Sequence, residues 1–176
     1  MVWLFGLLLL ALLCFAGVIL VGAPYLPTLS PQVEEALEMT NLTSGQTLLE
    51  LGSGDGKVLI AAAKQGFNVI GYELNPILVV FSYIRTLKYR KKVTIIWGNF
   101  WTKQWPNADA IFVFLLPKYM KKLDTKCMRY SHLPITLVSF AFEVPGREPS
   151  KKSKGIFAYR YKEDLICIRD LPPPNN

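Results

Sequence analysis

Leu48-Leu49-Glu50-Leu51-Gly52-Ser53-Gly54-Asp55-Gly56-Lys57 is an apolar strand that closes on an acid and runs straight into a glycine-rich turn. Val58, Leu59, Ile60 and Ala61 to Ala63 follow as a helix opening, and a second apolar run, Asn68-Val69-Ile70-Gly71-Tyr72, ends in Glu73. This is a βαβ unit of the kind that holds an adenosine cofactor. Its glycines let the backbone approach a ligand and take positive φ, and an acid at the tip of the second strand can accept both ribose hydroxyls.

Three ligand classes compete for such a turn. A phosphate-cradling P-loop needs glycine where Leu51 stands and Ser or Thr where Val58 stands, so that reading fails. A dinucleotide turn wants G-x-G-x-x-G, which the order Gly52-x-Gly54-x-Gly56 meets only partly. Glu50 decides between them: a carboxylate beside a helix N-terminus repels a pyrophosphate but can pair with a cationic amino-acid group. S-adenosylmethionine (SAM) carries such a group. Glu50-x-Gly52-x-Gly54-x-Gly56 followed by Glu73 resembles motifs I and II of the class I SAM-dependent methyltransferases.

The chain has 176 residues, room for one domain, yet it is 51% hydrophobic. The surplus is at one end, because no charged residue precedes Glu34 and Val2 to Val21 is a nearly unbroken apolar run. A run of this length predicts a helix that crosses a bilayer. A cleaved signal peptide is the rival, but no Lys or Arg precedes the run and Pro24 would block the one plausible cleavage site. The positive-inside rule abstains, since the first Lys is Lys57. The domain is expected on the cytosolic side, where SAM is kept. Cys14, Cys127 and Cys167 are too scattered for a disulfide framework or a zinc site, so no metal is expected.

The net charge of +7 gathers at Lys88 to Lys92, Lys118 to Arg129 and Lys151 to Lys154. An anionic membrane surface is favoured over nucleic acid as partner, because no nucleic-acid motif accompanies the basic runs, and plain solvated helix faces are the alternative for each cluster.

Residues 1–23 read as the anchor, 24–46 as a connector and helix, 47–170 as the SAM-binding domain and 171–176 as a disordered tail. Ala23 to Pro31 is proline-rich and stiff. Ser30 and Pro31 then open a helix. Strands at Thr47 to Leu51, Asn68 to Glu73, Val93 to Trp97, Ala110 to Leu115 and Ile135 to Phe140 alternate with helices at Lys57 to Gln65, Pro76 to Tyr89 and Lys118 to Arg129. The fold expected is therefore α/β and Rossmann-like, a doubly wound and mainly parallel sheet. Glu143 to Gly155 reads as a loop, and Ile156 to Tyr161 with Leu165 to Arg169 as a closing antiparallel hairpin.

Ligands of open α/β sheets lie beyond the carboxyl ends of the strands. Residues there are Gly52, Ser53, Gly54, Asp55 and Gly56 after the first strand, Glu73, Leu74 and Asn75 after the second, and Asn99, Phe100 and Trp101 after the third. Asn99 could accept from an adenine amino group or simply form a turn, while Phe100 or Leu74 could sandwich the ring. Methyl transfer to an amine needs a neutral nucleophile held in line within a dry aromatic channel. Tyr25, Trp101, Pro117, Tyr119 and Phe142 are the candidates to line it, Trp101 and Phe142 being equally readable as core. His132 reads as structural and Glu143 as a loop charge.

Pro24-Tyr25-Leu26-Pro27-Thr28, the glycine turn, Gly71-Tyr72-Glu73-Leu74-Asn75-Pro76 and Asn99-Phe100-Trp101 resemble, in order and spacing, the small membrane-anchored protein-lysine methyltransferases that act on ATP synthase c-subunit and adenine nucleotide translocase. Asn99 stands where those relatives usually carry an aspartate. The resemblance implies SAM as cofactor, lysine of a membrane or membrane-associated protein as acceptor, and a connector that folds over the pocket with Tyr25 or Thr28 near the methionine part of SAM. Methylation of a lipid or small amphiphile and a non-catalytic SAM-binding scaffold stay open. Glu73→Ala is expected to weaken cofactor binding and leave the fold intact.

Overall fold

A strand buried on both faces must be apolar along its length, and Thr47–Leu51 (β1) is buried from Leu48 onward, the acid Glu50 included. In the computed structural model, which describes residues 3–6, 9, 30–130 and 132–162, β1 lies inside a seven-stranded sheet. The elements in chain order are α1 (Ser30–Met39), β1, α2 (Lys57–Lys64), β2 (Asn68–Glu73), α3 (Pro76–Thr86) with a 3-10 turn at Leu87–Tyr89, β3 (Val93–Trp97), β4 (Ala110–Val113), α4 (Pro117–Met128), β5 (Ile135–Phe140), β6 (Lys151–Ser153) and β7 (Ile156–Tyr161). The sheet order is β3-β2-β1-β4-β5-β7-β6, and β1 to β5 pair in parallel. The winding reverses between β1 and β4, so the crevice of a doubly wound sheet opens at the carboxyl end of β1.

Two apolar layers clamp the sheet. On one face Val33, Ala36 and Leu37 of α1 and Val58, Leu59 and Ala62 of α2 pack on Leu48, Val69 and Phe112. On the other, Met120, Leu123 and Cys127 of α4 pack on Leu49, Ile111 and Leu137, with Phe100 and Trp105 closing the layer.

The end of the chain differs from the sequence reading. β7 does lie in an antiparallel hairpin, but its partner is Lys151–Ser153, inside the stretch read as a loop. Lys154 and Gly155 form the two-residue turn, both at positive φ (45° and 77°). β7 is then inserted between β6 and β5 and is antiparallel to both. The expected partner, Leu165 to Arg169, lies outside the described residues. So do Tyr25, Thr28 and most of the expected span Val2 to Val21. Among the described residues no helix is long and apolar enough to cross a membrane.

Gly71, in the middle of β2, fixes how closely the glycine turn sits on the sheet. A Cβ there would meet Ser53 Cβ at 2.8 Å and Leu59 Cδ2 at 2.9 Å. Gly71→Ala must push the turn or α2 outward and should destabilise by about 1–3 kcal/mol, the usual cost of overpacking. Urea unfolding measures it, and an unchanged midpoint would contradict this packing.

Candidate functional site

The turn after β1 is held to β2 by its backbone. Gly52 N and Ser53 N both donate to Tyr72 O (2.9 and 2.8 Å), and Gly54 N donates to Glu73 Oε2 (2.8 Å). Gly52 takes φ 93° with nothing within 4 Å of where its Cβ would be, so the turn presents bare backbone to the crevice. Gly56 serves packing: it precedes α2 at φ 77°, and a Cβ there would lie 2.5 Å from Ser82 Oγ of α3. Asp55 faces a different task from the glycines. Its carboxylate accepts from Lys57 N (3.2 Å) and pairs with Arg85, tying the turn to α3.

Glu73 is 6% exposed and accepts a second bond, from Asn75 N at 2.7 Å. Burial raises its carboxyl above the usual range, while the N–H groups of Asn75, Gly54 and Leu74 pull it back. Glu50 has no such compensation. It is 4% exposed, its Oε2 has no hydrogen-bond partner within the protein, and burial followed by the Glu73 and Asp55 carboxylates pushes its pKa well above the usual range. Ser53 Oγ and Asn75 Nδ2 are likewise buried and unpartnered. Unpaired polar atoms are uncommon in protein interiors, and here three of them gather at the carboxyl ends of β1 and β2. A ligand bearing a positive charge would satisfy Glu50.

Asn75 stands in the sequence reading only as a residue after the second strand, with no role given to it. Its Oδ1 caps α3 by accepting from Ile77 N (2.9 Å), with Pro76 at the first helical position. The Asn-Pro pair at a strand end was the available signal.

Past β3, Asn99 Oδ1 accepts from Trp101 N (2.9 Å) and Asn99 O from Thr102 N (3.2 Å), which is the turn alternative among its readings. Phe100 is 9% exposed and packs into the core layer beside Trp101, ring centroids 4.7 Å apart. Leu74 is half-buried, and its carbonyl accepts from Trp97 Nε1 (3.1 Å). Trp101 and Tyr119 come together, centroids 6.0 Å apart, at the start of α4, where Pro117 occupies the first turn. Phe142 stacks on Phe114 at 6.4 Å. Lysines lie over this aromatic ridge: Lys122 Nζ is 5.1 Å from the Trp101 centroid and Lys118 Nζ 4.8 Å from that of Tyr119. Burial, then Lys122, lowers the Lys126 ammonium pKa. The spacing 118, 122, 126 on one helix was a legible sign of that face. Among the described residues no group of three His, Cys, Asp or Glu could hold a metal ion.

A sheet of this order, with an acid-flanked glycine turn at its reversal point, defines the Rossmann-like methyltransferase fold. An RNA methyltransferase from Salinibacter ruber, solved with S-adenosyl-L-homocysteine, has the same fold at TM-score 0.74 and 24% identity, over 80% of this chain and 96% of that one. The model of the ANTKMT methyltransferase domain matches residues 50–151, and the chain belongs to that family. The chain is 30% identical over 128 residues to the human (Homo sapiens) ATP synthase c-subunit lysine N-methyltransferase, which is 72% of this chain and 54% of that protein. It is also 30% identical over 136 residues to a protein-lysine N-methyltransferase of Saccharolobus islandicus (strain REY15A), 74% of this chain and 84% of that one. The chain spans about half the length of the ATP synthase c-subunit methyltransferases it matches.

Proposed function

We propose that this protein is a SAM-dependent protein-lysine N-methyltransferase acting on a membrane or membrane-associated protein. The observation that carries the reading is Glu50: a buried carboxylate with an unpartnered oxygen at the reversal point of the sheet suits a cationic amino-acid group. SAM would supply an electrophilic methyl group on its sulfonium. Of the chain's residues, the turn Gly52 to Gly56 offers backbone close to the ligand, Glu50 pairs with the positive amino-acid end, and Glu73 orients the ribose while it holds the turn through Gly54 N.

An acceptor lysine must be neutral to attack. The Trp101–Tyr119 ridge favours that form in two ways, by excluding water and by carrying the positive charges of Lys118 and Lys122 on its faces. The aromatic faces also tolerate the methylammonium product. Leu74, Asn99 and Phe100 belong to the adenine side of this proposal, Thr28 to the methionine end of the cofactor, and Tyr25, Pro117 and Phe142 to the acceptor side. The relatives named as lysine methyltransferases of a protein favour a protein acceptor. The apolar run Val2 to Val21 is proposed as a single-pass anchor with the domain on the SAM-containing, cytosolic side. It raises the effective concentration at a membrane substrate without new contacts.

Incubation of membranes with the purified chain and methyl-labelled SAM tests the reading. Label recovered as methyl-lysine after hydrolysis of protein is expected. Label in the lipid extract would replace the acceptor with an amphiphile, and no label on either would leave a SAM-binding scaffold.

A further inference from the structure

Helix α3 is amphipathic the wrong way round for a helix of a water-exposed sheet protein. Its buried positions are Leu78, Ser82 and Thr86, two of them polar. Its outward positions Ile77, Val80, Phe81 and Ile84, continued by Leu87, recur at helical spacing and form one apolar stripe, each 40–59% exposed. Trp97, at the end of edge strand β3, is 66% exposed, and its indole N–H is already satisfied by Leu74 O, so an apolar ring is what it offers outward. Contiguous exposed apolar surface of this kind marks an interaction site.

The charge around the stripe selects the partner. From Leu74 to Ala108 the chain contains no Asp or Glu, and with Arg85 paired to Asp55 the cations left are Lys88, Arg90, Lys91, Lys92 and Lys103. Two copies packed stripe to stripe would bring these cations together, and like charges juxtaposed at an interface are costly. The uncharged run Val2 to Val21 offers nothing to neutralise them. An anionic bilayer surface meets both demands: acyl chains take the stripe and the Trp97 ring, headgroups take the basic rim, and Tyr83 has the apolar body and polar tip that concentrate at the membrane interface.

We propose that the α3–Trp97 face is a second membrane contact, separate from any N-terminal anchor, which lays the domain against anionic lipid. The glycine turn is coupled to this face, since Arg85 of α3 pairs with Asp55 and donates to its carbonyl (3.0 Å). Docking therefore holds the candidate site at the bilayer surface, where a membrane protein presents its juxtamembrane residues. This surface does not depend on the methyltransferase reading.

The test uses the full chain with Cys14→Ser and Cys167→Ser, Cys127 being buried. An environment-sensitive fluorophore is placed at Val80→Cys or, on the far sheet edge, at Lys152→Cys. The protein is bound to phosphatidylcholine–phosphatidylserine vesicles whose acyl chains carry bromine as quencher, with no cofactor present. Several-fold stronger quenching at position 80 than at 152 is expected. It should fall when phosphatidylserine is omitted or when Lys88, Arg90 and Lys91 are all changed to Gln. Equal quenching at the two positions in vesicle-bound protein overturns the proposal, as does absence of vesicle binding. Cross-linking between copies through position 80 overturns it in favour of a dimer. Shielding of position 80 in detergent that disappears on deletion of residues 1–22 overturns it in favour of the chain's own N-terminal run.

Discussion

Glu50→Gln should all but eliminate SAM binding while making the free protein more stable. Removing one member of a buried charge pair costs about 2–5 kcal/mol, a loss in affinity of about 30-fold or more. In the free protein the same carboxylate is buried beside the Glu73 and Asp55 carboxylates, and replacing its charge with a neutral amide should return about 1–3 kcal/mol. For a domain of this size each kcal/mol raises Tm by about 2–4 °C. The pH dependence has a fixed sign. Burial, Glu73 and Asp55 raise the folded pKa of Glu50 above its ordinary 4.5. Its contribution to stability is therefore fully present below that ordinary value and is lost as pH rises through the folded pKa. Glu50→Gln removes this slope. SAM binding selects the ionised carboxylate, so in that window wild-type binding releases a proton and tightens as pH rises. Calorimetry in buffers of different ionisation enthalpy reads both effects. Wild-type affinity in Glu50→Gln would remove the observation on which the proposed function rests.

Glu73→Ala should harm both fold and cofactor binding, which departs from the expectation drawn from sequence. A strand-tip acid that meets only ribose could be deleted cleanly. In the structure Glu73 instead accepts from Gly54 N and Asn75 N, so its loss strands two buried donors across the turn and the start of α3. Charge-assisted bonds of this kind are each worth about 1.5–3 kcal/mol, and the folded state should lose most of that twice over. Glu73→Gln keeps one acceptor oxygen and should recover part of the stability but less of the affinity, because an amide cannot accept from two hydroxyls as a carboxylate does. Urea unfolding and SAM titration of both variants check the order. A fully stable Glu73→Ala would show that the turn does not lean on this side chain.

The sequence by itself determined what depends on neighbours along the chain. Three glycines two apart at the end of an apolar run can only make a turn that exposes backbone. The alternation of short apolar runs with helical stretches gives a parallel doubly wound sheet, and Asn75-Pro76 supplies a cap and a preset φ for the helix that follows. Tertiary structure decided what depends on residues far apart. β6 is three residues, Lys151–Ser153, on a sheet edge where charged side chains are tolerated, so no apolar period announces it and only pairing with Ile156–Tyr161 makes it a strand. Glu50 Oε2 lacks a partner because β2 and β4 flank it, opposite Gly71 and Phe112, and neither offers a cation. The composition of α3 marks it as apolar but cannot say which face turns inward. That choice was made by Gly56, whose missing side chain admits Ser82 beneath the turn and leaves Val80, Phe81 and Ile84 on the outside.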